Sequence, residues 1–187
     1  MKLVDTEETV VLVTGTSLTA EERDRPLAYL LKSEIDQRGA GHAYRRAVVV
    51  GDAWYLDNRI FHLNPTIAIG GPGANGVSRE FGAFLPTIYN RNEEVFVQAD
   101  FEGDLKRATL WGVNAAATAA AVEVFTTQGH LEELLGKIWR FRVTPSYRPS
   151  RSASARSTTS DVSPSIIRRS TSTASSGKLS GWTRSRS

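Results

Sequence analysis

The stretch PTIAIGGPGANGVSREF, residues 65–81, combines a short apolar run, a glycine-rich loop and the start of a helix. The run TIAI is typical of a buried strand, and residues 75–85 suit a short helix. Gly71, Gly73 and Gly76 form a G-x-G-x-x-G pattern between the two elements. Such a loop can hold a phosphate on backbone amides at the helix start, or it can be only a tight turn. The sequence leaves both interpretations open.

Comparable units occur on both sides of this stretch. Further apolar runs predict strands at 9–14 (TVVLVT), 47–50 (AVVV), 94–101 and 107–112. Amphipathic or alanine-rich segments predict helices at 19–38, 115–128 and 131–139. Strands that alternate with helices predict an α/β fold. We expect a three-layer sandwich with a mostly parallel sheet and an antiparallel hairpin at 94–112.

The first predicted helix has two distinctive features near its start. Thr19 and Glu22 have the spacing of a capping box, in which each side chain bonds a backbone amide at the helix start. Pro26 follows inside the same amphipathic segment, where its ring would clash with the preceding turn. We therefore expect a kink or two short helices.

The charge of the chain is unevenly distributed. Residues 144–187 carry eight Lys and Arg against one Asp, a charge of +7, so the overall +3 leaves −4 for residues 1–143. This second segment is rich in Ser, Thr, Arg and Pro and has few apolar residues, which predicts a disordered basic tail after an α/β domain. A plain flexible tail, unselected coding sequence and a Ser/Arg tail that binds nucleic acid all remain open.

Composition argues against several classes of site and location. The chain has no cysteine, so disulfides and thiolate metal ligands are excluded. His42, His62 and His130 are far apart in sequence and lack metal-ligand spacing. The N-terminal segment lacks the apolar run of a signal peptide, and no stretch has the ~20 apolar residues that a membrane span needs. We expect a cytoplasmic protein with no membrane partner.

Small and polar residues follow several predicted strands. Thr16 and Ser17 follow the first strand, Asp52 follows the second, and Asn114 follows the strand at 107–112. Ligands of open α/β sheets bind outside the carboxyl ends of parallel strands. These residues, together with the glycine-rich loop, would therefore share a ligand cleft. The alternative is that loops after strands generally need glycine and capping residues.

The glycine-rich loop supplies the remaining candidate ligand-binding residues, which are Gly71, Gly73, Asn75, Gly76 and Ser78. Amides and the dipole at a helix start favour an anion, so a phosphate- or carboxylate-bearing small molecule is the expected ligand.

A dinucleotide is a further interpretation of the loop, and it would need an acid such as Asp100 after the next strand to bind a ribose hydroxyl. Pro72 weakens it by removing one amide, and no cofactor is identified. Catalysis has less support. Asp52 can serve as a general base if it is desolvated, and Ser17 or Ser78 as a nucleophile only beside a base. The alternative is that Asp52 starts or caps the following turn and that Ser78 lies in the first turn of a helix.

Two longer segments resemble a known class of module. IGGPGANGVSREF (69–81) and RATLWGVNAAATAAAVEVF (107–125) are similar to the strand–Gly-Gly–turn–helix and closing segments of the α/β modules in bacterial cell-wall-binding repeats (type 2) and related surface-layer proteins. VVVGDAWYLDN (48–58) is more loosely similar. The resemblance implies a layered α/β fold and a non-catalytic interaction role. In it, Gly70, Gly71 and Asn75 would be structural or polymer-contacting residues.

These observations favour a small-ligand module, with or without catalysis. The alternative is an interaction or assembly module of the cell-wall-binding type, which would also account for a homo-oligomer. Nucleic acid is expected as a partner only through the tail.

Overall fold

The computed structural model of this chain describes residues 4–139. These residues form one six-stranded sheet with the strand order β2-β1-β3-β6-β5-β4. The strands are β1 Val10–Thr14, β2 Ala47–Gly51, β3 Thr66–Ile69, β4 Thr87–Arg91, β5 Val95–Asp100 and β6 Arg107–Gly112. The predicted basic tail and its boundary near residue 143 lie outside the described residues.

The pairing of the strands confirms the α/β class and the antiparallel hairpin. β1 pairs in parallel with β2 and β3, and β3 pairs in parallel with β6. β5 is antiparallel to both β6 and β4, so the sheet is mixed at one edge. The strand β4 is an addition that the sequence patterns did not predict. It follows Pro86 and joins β5 through a turn in which Asn92 and Glu93 both have positive φ.

Within residues 4–139, six helices and one 3-10 helix connect or follow the strands. The helices are α1 Leu18–Arg23, α2 Arg25–Arg38, α3 Asp52–Asp57, α4 Gly76–Gly82, α5 Ala115–Thr127 and α6 His130–Ile138, and the 3-10 helix is Arg59–Leu63. Within residues 4–139, none of the helices has the length and apolar character needed to span a bilayer.

The first predicted helix is divided into α1 and α2, as Pro26 predicts. Pro26 lies in the first turn of α2, where its missing N–H costs no hydrogen bond. The predicted capping box is wrong, because α1 begins at Leu18 and Ser17 is its N-cap, with the Ser17 Oγ accepting from Ala20 N at 3.3 Å. Thr19 therefore lies inside the helix. The break leaves Asp24 between the two helices, as the C-cap of α1 and the N-cap of α2.

Alternate residues of β1 pack into two hydrophobic clusters. Val10 and Leu12 join buried residues of α2, α5 and α6, whereas Val11 and Val13 join those of α3 and α4. Successive side chains of a strand point to opposite faces, so β1 contacts helices through both of its faces. Each fully buried Val or Leu side chain contributes about 1.5–3 kcal/mol. β1 lies between β2 and β3, with all five of its residues buried.

Candidate functional site

The carboxyl ends of four parallel strands lie side by side. Because β2, β1, β3 and β6 are neighbours in that order, the loops that follow them leave the same edge of the sheet. This is the edge at which open α/β sheets bind ligands. The expectation that the small-residue strand ends converge is therefore confirmed by the topology.

Asp52 connects three of these loops through its carboxylate. Its Oδ1 accepts hydrogen bonds from Thr16 N at 3.0 Å, Thr16 Oγ1 at 2.8 Å and Ala53 N at 2.8 Å. Its Oδ2 accepts one from Gly76 N at 2.7 Å. Burial raises the pKa of Asp52, but the bonds from Gly76, Thr16 and Ala53 together lower it below the usual range. Asp52 is thus an ionised carboxylate that receives the first amide of α4.

Asn75 fixes the same loop from inside the protein. Its side chain is buried, and its Nδ2 donates to the carbonyls of Val13 and Ile69, both at 2.9 Å. Its Oδ1 accepts from Val77 N at 2.9 Å and Ser78 N at 3.2 Å. One side chain therefore joins the ends of β1 and β3 to the start of α4. Together with Asp52, it supplies acceptors within the chain for the first three amides of α4.

The remaining sequence-predicted residues have separate positions. Ser17 is exposed and caps α1, and Asn114 is exposed and caps α5, with its Oδ1 accepting from Ala117 N at 2.9 Å. Ser78 is buried, and among residues 4–139 its Oγ has no hydrogen-bond partner. Asp100 lies at the opposite edge of the sheet, because β5 runs antiparallel to β6. Asp100 therefore cannot be the ribose acceptor of a dinucleotide bound at the glycine-rich loop.

A cleft of about 350 Å³ opens between the glycine-rich loop and the β6–α5 loop. Its lining includes Arg23, Asp24, Gly71, Gly73, Trp111 and Asn114. Three of the nine sequence-predicted residues thus face one cleft, which we call the carboxyl-edge cleft. Thr16, Asp52 and Gly76 form the hydrogen-bonded network beside it, and Ser17, Asn75 and Ser78 are not in its lining.

Asp24 is a candidate ligand-binding residue that the sequence patterns missed. It is only 7% exposed and lines the carboxyl-edge cleft. Within residues 4–139, no group donates a hydrogen bond to its carboxylate. Burial raises the pKa of Asp24, and the neighbouring charge of Arg23 opposes that shift only in part. The carboxylate oxygens of Asp24 are accessible from the cleft, and carboxylates with a shifted pKa in a cleft concentrate at functional sites.

Gly70 allows the Asp24 carboxylate to reach this position. Gly70 has a φ of +105°, a conformation that favours glycine, and a Cβ built on it would lie 2.4 Å from Asp24 Oδ2. Any larger residue would displace the carboxylate. The G-x-G-x-x-G glycines, in contrast, have open space or ordinary contact distances around them. The glycine-glycine pair at 70–71 was the available sequence signal, but nothing in the sequence connected it with Asp24.

Within the described part of the chain, no group of three His, Asp or Glu side chains is arranged to hold a metal ion. Comparison with known proteins adds no assignment, because neither a family model nor a curated protein matches the sequence at a significant level.

Proposed function

We propose that this domain binds a small phosphate- or carboxylate-bearing molecule in the carboxyl-edge cleft. The observation that carries the proposal is Asp24, a largely buried residue whose carboxylate faces the cleft and has no donor within residues 4–139. The cleft volume of about 350 Å³ is at the small end of the range for ligand pockets, roughly 300–1,000 Å³.

Asp24 would accept a hydrogen bond from a hydroxyl or amino group of the ligand. A bound donor would supply the partner that the folded chain does not, and it would remove part of the burial cost. The same carboxylate, with its raised pKa, is suited to act as a general base toward that group.

The anionic part of the ligand would bind at the start of α5. Asn114 accepts from Ala117 N, so the amides of Ala115 and Ala116 have no acceptor within the helix. The helix has 13 residues, and the positive end of its dipole lies at the wall of the cleft that Asn114 and Ala115 line. Arg23 lines the cleft as well and adds a positive charge. The start of α4 is less suited, because Asp52 and Asn75 already occupy its amides.

A thermal-shift screen tests this proposal. Nucleotides, sugar phosphates and hydroxy acids at millimolar concentration should include at least one class that raises the melting temperature of the full chain. The Asp24→Asn variant should lose that shift. The matched control is Asp57→Asn, which removes an exposed aspartate outside the cleft and should keep the shift. No shift with any class, or an equal shift in both variants, would contradict the proposal.

The finer expectations from the sequence belong to the same proposal. We propose a three-layer arrangement, with helices on both faces of the sheet. We also propose a cytoplasmic location, and microscopy of a fluorescently tagged chain would check the location. The alternative function is a non-catalytic interaction or assembly module resembling the cell-wall-binding repeats. Retention of the chain on peptidoglycan, combined with no small-molecule shift, would favour that alternative.

A further inference from the structure

A buried arginine lies at the opposite edge of the sheet from the carboxyl-edge cleft. Arg107, the first residue of β6, is only 8% exposed. Its Nη1 donates to Tyr55 Oη at 2.6 Å and Thr66 Oγ1 at 3.1 Å, and its Nη2 donates to the His62 carbonyl. All three acceptors are neutral. The guanidinium carbon of Arg107 lies 5.0 Å from the centroid of the Phe81 ring.

The charge of Arg107 has no anionic partner in the described part of the chain. No carboxylate among residues 4–139 comes within ion-pair distance of it. A guanidinium has five N–H donors, and the three hydrogen bonds leave two of them without an acceptor among residues 4–139. A buried cation without a counter-charge is costly, whereas a planar guanidinium binds a carboxylate strongly through two parallel hydrogen bonds. Arg107 is therefore prepared to receive an anionic group.

Asp100 is the natural counter-ion for Arg107, but the structure holds the two apart. Asp100 is the direct cross-strand partner of Arg107 in the β5–β6 pair, so both side chains leave the same face of the sheet. Asp100 Oδ1 instead accepts from Glu102 N at 2.9 Å and Gly103 N at 3.1 Å. These two bonds lower the pKa of Asp100 and keep it ionised.

A cavity of about 200 Å³ lies between these separated charges. Arg107, Asp100 and Glu80 supply its charged lining. Its apolar lining comes from side chains of α4 and the loops near it, namely Phe81, Phe84, Leu85 and Leu105. Phe84 and Leu105 are exposed at 62% and 41%, so apolar surface is available at the rim. The site thus offers one cation, two anions and a hydrophobic wall.

We propose that this cavity binds a small zwitterion with an apolar side chain, of the chemical class of the aliphatic α-amino acids. The ligand carboxylate pairs with Arg107, its ammonium group faces Asp100 and Glu80, and its side chain packs against Phe81 and Leu105. A simple anion would gain the arginine but meet two negative charges. A simple amine would meet the arginine as a like charge.

Isothermal titration calorimetry with three probes tests this assignment. L-leucine carries both charges, 4-methylpentanoate lacks the ammonium group, and 3-methylbutylamine lacks the carboxylate. The full chain should bind leucine at least tenfold more tightly than either of the other two. Failure to bind leucine at millimolar concentration, or equal binding of 4-methylpentanoate, would overturn the proposal.

A double variant, Glu80→Gln with Asp100→Asn, separates this site from unspecific binding. Glu80 is exposed, and Asn at position 100 retains the oxygen that accepts from Glu102 and Gly103, so the fold should persist. Leucine binding should weaken at least tenfold, whereas binding of 4-methylpentanoate should become tighter. The control Glu133→Gln removes an exposed acid on α6 and should change neither. Unchanged leucine binding in the double variant would exclude the assigned site.

Discussion

Replacing Asn75 with alanine should destabilise the domain far more than replacing another asparagine that also caps a helix. Asn75 is 1% exposed and makes four hydrogen bonds, two to strand-end carbonyls and two from amides of α4. A hydrogen bond contributes about 1 kcal/mol net, so Asn75→Ala should lower the free energy of unfolding by about 4 kcal/mol. That is a large part of the ~5–15 kcal/mol typical of a folded domain.

Asn114 provides the matched control for this prediction. It is also an N-cap, but it is exposed and makes one side-chain hydrogen bond, to Ala117 N. Asn114→Ala should therefore cost about 1 kcal/mol, the usual value for a lost cap. Equilibrium unfolding in urea, followed by tryptophan fluorescence, measures both variants on the same scale.

The ratio of the two free-energy costs decides whether Asn75 also stabilises the ends of β1 and β3 or only caps α4. A cost of about 1 kcal/mol for Asn75→Ala, equal to that of Asn114→Ala, would show that the hydrogen bonds to the strand-end carbonyls add no stability. Asn75→Asp separates the two functions further, because it keeps the acceptor for the amides and loses both donors. It should be as destabilising as Asn75→Ala at neutral pH, since its charge would face the carbonyls of Val13 and Ile69.

Three further predictions concern single residues of the carboxyl edge. Burial raises the pKa of Asp24, so the charged form of this residue destabilises the fold. Asp24→Asn should therefore raise the free energy of unfolding at pH 7, and this gain should vanish below the usual aspartate pKa of about 4. Urea unfolding at several pH values measures both effects. The pKa of Asp52 is lowered in the fold, so its contribution to the free energy of unfolding is present above about pH 4 and is lost as pH falls through the lowered folded pKa. In the same measurements, Asp52→Asn should reduce the loss of stability at acid pH. An unchanged loss would contradict the stabilising role of the hydrogen bonds to Asp52. Gly70→Ala combines a positive φ with a contact of 2.4 Å to Asp24 and should cost more than 1 kcal/mol in calorimetry, whereas Gly73→Ala, with no atom within 4 Å, should be nearly neutral.

The parallel part of the fold could be predicted from the sequence because its strands are continuous β-branched runs. The run TIAI coincides with β3, and the segments at 9–14 and 47–50 agree with β1 and β2 to within a residue. Pro26 correctly divided the first helical segment, since proline is tolerated in a first turn but not in the middle of a helix. Parallel strands then had to bring their carboxyl ends together.

The hairpin strand β4 and the two unpaired charges could not be predicted in this way. β4 has no apolar alternation that buries one face, and its turn uses Asn92 and Glu93 at positive φ instead of the usual Asn-Gly. The burial of Asp24 and Arg107 depends on elements distant in sequence, because the groups around them come from β3, α3 and the loops after β3 and β6. Burial of a charge is a property of the packed fold, and local sequence carries no signal of it.

The internal acceptors at the start of α4 have a consequence for the dynamics of the loop. In an unliganded phosphate-binding loop, the amides at the helix start face water, and the loop becomes ordered when the ligand binds. Here Asp52 and Asn75 already hold the amides of Gly76, Val77 and Ser78. These amides should therefore be protected from hydrogen exchange in the free protein, with protection close to that of the neighbouring strands. The glycine-rich loop is preorganised by the chain itself, so its shape does not depend on an occupant.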